Sequence, residues 1–221
     1  MSVDHRRFAP ATQRNRDAIL SVLQKSLPKT GTVLEIASGS GEHAAFFAKH
    51  LPRLVFCPSD PSAESRDSIE SWRVHANLSN LRSPISIDVA QAQWETELPP
   101  LDAILCINMV HISPWSATEG LIRVAAQALK SGGSLYLYGP YQRGGQHTAH
   151  SNAAFDQSLR TRNPEWGVRD LEAVEALADR HGFERTTPIP MPANNLSLVF
   201  YRGPSDGPPR GGMERADIGV G

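Results

Sequence analysis

Cysteine is scarce in this chain of 221 residues, which has only Cys57 and Cys106, each inside an apolar, strand-like run. Two such thiols exclude a disulfide framework and read as buried, unreactive side chains. No Cys/His cluster has metal-ligand spacing. His147 and His150 stand three apart in a polar loop with no second pair, so no metal is expected. An excess of charge is missing too. With 22 basic and 23 acidic side chains the formal net charge is -1, too little to attract nucleic acid or anionic lipid, and neither is expected as a partner. Long apolar runs are also absent. The longest, around Ile104–Ile112, is far short of a membrane span, and Met1–Arg16 is polar and Arg-rich. These absences lead to the expectation of a cytoplasmic protein that acts on a small molecule or peptide.

What is present is a regular alternation of strand and helix. Ile19, Leu20, Leu23 and Leu27 form one buried stripe, which predicts a helix over 12–27. Strands are expected at 32–36, 54–57, 85–87, 103–107 and 134–138. Helices between them are expected near 44–51, 62–78, 91–97 and 117–129. Right-handed crossovers then give a mostly parallel α/β sheet with helices on both faces. A helix at 169–181 and two extended runs, 185–191 and 196–201, add an antiparallel C-terminal hairpin strand and complete a seven-stranded, Rossmann-like sheet. At ~150 residues per domain, one domain over 1–202 fits. The polar stretch 139–166, with a weak helix signal at 152–160, reads as a substrate loop or lid over 140–167. The Gly- and Pro-rich residues 203–221 read as a disordered tail.

The first strand ends in Glu35-Ile36-Ala37-Ser38-Gly39-Ser40-Gly41. Glycines at 39 and 41 let backbone approach a ligand, and the helix behind them presents free N–H groups. This turn also fits a dinucleotide fingerprint, with Gly39, Gly41, Ala44 and Asp60, so an NAD-dependent oxidoreductase is one reading. Glu35 favours another. A carboxylate at the strand end repels pyrophosphate but suits a ligand with an ammonium and a sulfonium.

Acid, three residues, Gly-x-Gly, then acids closing the second and third strands resembles the motifs of class I S-adenosylmethionine (SAM)-dependent methyltransferases. By that resemblance SAM is the cofactor, and Glu35, Ala37, Ser38, Gly39 and Gly41 form its turn. Asp60 takes the ribose hydroxyls, Asp88 and Val89 hold the adenine, and Asn108 begins the methyl-donor end. Further segments, read together with Glu35–Glu42, narrow the likeness: Arg6-Phe8-Ala9-Pro10, Arg14-Asn15, Tyr138–Tyr141, Ser151–Asp156, Pro164–Gly167 and Met191–Leu196. Together they resemble a widespread, poorly characterised family of about 200 residues related to the human methyltransferase-like 26 protein. That likeness covers residues 6–202.

These segments fall where an acceptor pocket would be built. Arg14, Asn15, Asn152, Trp166, Asn194 and Asn195 are the candidate acceptor-binding residues, by stacking and hydrogen bonding. In-line transfer from SAM requires no metal, only alignment and, for a protonated acceptor, a base. His111, just past the fourth strand, is the first candidate base and Tyr141 the second. A SAM-binding regulator without catalysis is a third reading.

Overall fold

The computed structural model describes residues 4–91 and 98–204. Most of the helix expected at 91–97 and of the tail expected at 203–221 lies outside these residues.

The chain opens with α1 (Pro10–Ser26), which has Pro at its first turn, where no N–H is needed. Then come β1 (Gly31–Ile36), α2 (Glu42–His50), β2 (Leu54–Pro58), α3 (Ala63–Ala76), β3 (Leu101–Ile107), α4 (Trp115–Ala128) and β4 (Leu129–Gly139). The Ser62 hydroxyl caps α3 by accepting from the Ser65 N–H. Strands β2, β1, β3 and β4 lie side by side and parallel. The chain order reverses between β1 and β3. Ligands of such sheets sit in the crevice outside the strand carboxyl ends at that reversal.

The segment expected as an irregular loop is ordered. It forms β5 (Tyr141–Arg143), β6 (Gln146–His147) and α5 (His150–Arg162), and β7 (Arg169–Asp170) pairs beside β5 in a small separate sheet. Next come α6 (Leu171–Arg180), β8 (Phe183–Arg185), β9 (Ile189–Met191), a 3-10 turn at Pro192–Asn194 and β10 (Asn195–Arg202). Strand β10 runs antiparallel to β4, with β8 and β9 both paired along it. The main sheet has seven strands, but not by the expected count. Residues 185–191 divide into β8 and β9, while the strand expected at 85–87 shrinks to one isolated bridge, Ser59 with Ile85, with a second, Phe56 with Leu81, just upstream of it. Pro84, with no N–H to donate, precedes an Ile85 that is 39% exposed at the sheet edge, so a ladder has little to hold it there.

Alternate residues face two cores. Leu34, Ile36, Ile104, Cys106, Leu135 and Leu137 pack under α4 and α6. Val33, Leu105, Tyr136 and Val199 pack under α1 and α2, with Ile19, Leu23 and Phe47. Each such aliphatic side chain, fully buried, contributes about 1.5–3 kcal/mol. With both faces covered, the strand carboxyl ends are left as the place where polar groups gather.

Candidate active site

The turn after β1 rests on left-handed backbone: φ is 53° at Ala37, 58° at Gly39 and 84° at Gly41. An alanine in this region costs roughly 1 kcal/mol, and several bonds hold it there. The Ser38 N–H donates to Ser59 O (2.8 Å), and the Ser59 hydroxyl and N–H both donate to Glu35 O (2.7 and 2.8 Å). A Cβ on Gly41 would lie 2.7 Å from Ile69 Cα, so α3 closes against the start of α2 only because position 41 is glycine. A Cβ on Gly39 would meet nothing within 4 Å. The space over the turn is open.

Asp60, buried at the end of β2, accepts the Gly39 N–H on Oδ2 and the Ser62 N–H on Oδ1, both at 3.0 Å. Each oxygen keeps a second lone pair. Asp88 is half-buried and accepts from the Ala90 N–H (3.0 Å) and Gln91 Nε2 (3.2 Å), with Val89 buried beside it.

Glu35 is 2% exposed, and its Oε2 has no hydrogen-bond partner. Burial pushes its carboxyl up to about 7; a hydrogen bond from Ser38 opposes this and the Asp60 charge adds to it. A buried carboxylate oxygen without a donor calls for a cation or donor from a ligand. With the open turn and the Asp60 pair, this donor set fits SAM.

Beyond β3, Asn108 also has left-handed backbone (φ 63°) and donates its N–H to Tyr138 O (2.9 Å), which turns the chain toward His111. His111 is 3% exposed and rests on Gly139, where a Cβ would lie 2.9 Å from Nδ1. Its ring packs edge to face with Phe155, centroids 5.4 Å apart. Burial, with Arg169 and Arg162 nearby, pushes the imidazole down to about 3. Tyr141 lies inside the α4–α6 core with its hydroxyl unpartnered, and burial holds the phenol far above its ordinary value.

Of the candidate acceptor residues, Asn152 is buried on α5 and donates from Nδ2 to Asn194 O (3.0 Å), while Asn194 donates to the Ser151 hydroxyl (3.2 Å). Asn195 donates to Pro192 O (3.0 Å) and lies within hydrogen-bonding reach of the Tyr138 hydroxyl, as does Asn15. The β9–β10 corner is thus tied to both α5 and β4. Trp166 is half-buried under Arg162, and Arg14 is exposed on α1.

Sequence reading missed three supports. Arg169 donates to Val110 O (3.3 Å), Ser113 O (2.6 Å) and Glu165 O (2.7 Å), clamping the His111 loop to the segment before β7. His43 Nε2 lies 2.9 Å from Asn15 Oδ1; an amide oxygen only accepts, so the neutral ring donates. Burial first, then the Arg16 charge, lowers His43 to about 4. Buried Glu42 accepts the Ala9 N–H (3.1 Å) and pairs with Arg16 (3.5 Å), holding the N-terminal segment to the start of α2. Glu42-His43 directly after Gly41 was the available signal; Arg169 had none, since its three partners are carbonyls.

A family model described as a protein of unknown function (DUF938) matches residues 6–202. Solved structures share the fold. An O-methyltransferase family 2 protein from Planctomyces limnophilus, in complex with apigenin, superposes at TM-score 0.74 with 17% identity, over 87% of this chain and 57% of that one. Human N-acetylserotonin methyltransferase with SAM does so at 0.71 and 13%, over 88% and 53%. The YcgJ protein from Bacillus subtilis does so at 0.64 and 14%, over 87% and 99%. The chain spans little more than half the length (55% to 59%) of several other methyltransferase structures it matches. The fold is that of SAM-dependent methyltransferases. Among the described residues, no helix is long and apolar enough to cross a membrane.

Proposed function

The chain belongs to the DUF938 family of proteins of unknown function, and we propose that it is a SAM-dependent methyltransferase acting on a small-molecule or peptide acceptor in the cytoplasm, without a metal. Its kinship to the methyltransferase-like 26 family is part of the same proposal. One observation carries it: the partnerless carboxylate oxygen of buried Glu35, behind a left-handed turn with open space above Gly39 and next to Asp60. A dinucleotide would bring phosphate toward that carboxylate, whereas SAM brings positive charge.

In this reading the turn 37–41 and Glu35 hold the methionine end, Asp60 the ribose, Asp88 and Val89 the adenine, and Asn108 the entrance to the methyl group. When bound, SAM would supply a methyl group already activated on a sulfonium. Alignment is then the main task of the protein. His111 faces the strand ends beside Asn108, and with its proton affinity so low it orients the acceptor rather than storing its proton. We assign Tyr141 to packing. Asn15, Asn152, Asn194 and Asn195 form the acceptor side, flanked by Arg14 and Trp166.

The test is a thermal titration with SAM, its demethylated product and NAD in parallel. A rise in Tm with SAM or the product, lost in Gly39→Arg, is expected; that substitution projects into the open space. A rise with NAD alone would establish the oxidoreductase reading instead. Binding without transfer of labelled methyl to any cell-extract fraction would establish a regulator.

A further inference from the structure

We propose that the acceptor subsite, whose assignment rests on the methyltransferase reading above, takes an aromatic molecule that brings its own hydrogen-bond donor, a ring hydroxyl or N–H.

The aromatic part follows from the contact between α5 and the loop after β3. Phe155 packs against the buried His111 ring yet leaves 37% of itself exposed, and Ile112, next to His111 in the chain, is 38% exposed. An exposed ring backed by a buried one is a platform for edge or offset stacking. Phe155 lies three residues after Asn152 on α5, so the platform and the amide share one helix face.

The donor requirement follows from the orientation of the amides. Asn152 places Nδ2 toward a carbonyl oxygen, Asn194 O, and only an N–H end can face such a partner. Nδ2 also donates to Thr148 Oγ1 (3.3 Å), so its N–H pair is used within the protein. Asn194 likewise spends an N–H within the protein, on the Ser151 hydroxyl. Among the described residues no group donates to Asn152 Oδ1 or Asn194 Oδ1. This rim accepts hydrogen bonds.

The probes are 2-naphthol, its methyl ether and 2-naphthoate, each titrated into the full chain with and without S-adenosylhomocysteine and followed by ligand NMR. Naphthol is expected to bind at least tenfold more tightly than the ether and the naphthoate, neither of which brings a hydrogen-bond donor. Phe155→Ala, a half-exposed position that leaves the core intact, is expected to abolish naphthol binding. Asn152→Ala is expected to equalise naphthol and ether. Naphthoate binding as tightly as naphthol, an ether as tight as naphthol in the unmodified protein, or naphthol binding unchanged in Phe155→Ala would each overturn the proposal. SAM titrated into the same samples separates the two readings. Loss of SAM binding alone sinks the methyltransferase assignment; loss of naphthol binding alone sinks this one.

Discussion

The Gly39 N–H and the Asp60 carboxylate are joined at 3.0 Å across the carboxyl ends of β1 and β2, so the residue proposed to take the ribose hydroxyls also shapes the turn proposed to hold the methionine end. Asp60→Ala removes both tasks. It also leaves the Ser62 N–H without its partner at the start of α3. The expected result is loss of the SAM-induced rise in Tm, with apo stability lower by about 1–3 kcal/mol. Asp60→Asn keeps one acceptor oxygen and is expected to recover part of the apo stability but little of the SAM affinity. Calorimetric titration of both variants checks this.

Glu35 makes apo stability depend on pH. Its folded carboxyl, near 7, lies above its unfolded value near 4.5, so the folded state holds the extra proton between them. Stability from this group is complete below pH 4.5 and is lost as pH rises through 7, by up to about 3 kcal/mol. A cationic ligand favours the ionised form, so SAM affinity is expected to rise over the same window with release of a proton. Glu35→Gln flattens both trends in urea unfolding and in titration calorimetry. An unchanged slope in that variant would contradict the assignment.

His43 acts with the opposite sign. Its folded value near 4 lies below its unfolded value near 6.5, so protons favour the unfolded chain, and stability is lost as pH falls from 6.5 toward 4. The contribution is up to about 3 kcal/mol. His43→Gln, which can still donate to Asn15, is expected to resist acid better than the parent in unfolding measured at pH 7 and pH 5.

His111, with its imidazole near 3, does not titrate between pH 5 and 8. Once an acceptor is known, the pH profile of kcat/KM is expected to show no limb near 6.5 that disappears in His111→Gln. A limb removed by that substitution would make His111 a working base.

Arg169→Ala leaves Val110 O, Ser113 O and Glu165 O without their shared donor. A loss of about 2–4 kcal/mol is expected, since hydrogen bonds to a charged donor count for more than neutral ones. Arg169→Lys keeps the charge but not the planar fork and is expected to recover only part. Denaturant midpoints of the two variants test this ranking.

The hydrophobic periods of the sequence were enough for the alternation of strand and helix, the parallel sheet, the antiparallel C-terminal strand and the position of the glycine turn, because each depends on neighbours a few residues apart. Residues 85–87 misled because a short apolar run carries no mark of lying at a sheet edge, where Ile85 is left 39% exposed. The ordered α5 within 139–166 was only faintly legible, since its stability comes from long-range partners: Asn152 on Asn194, and Asp156 accepting the Val168 N–H. Whether Glu35 would be exposed or buried without a partner, whether His111 would be a ready base or a neutral wall, and whether Asn152 would present its oxygen or its amine were decided only by tertiary structure. Desolvation and hydrogen-bond direction depend on everything packed around a group, and a residue's neighbours in the chain are few of these.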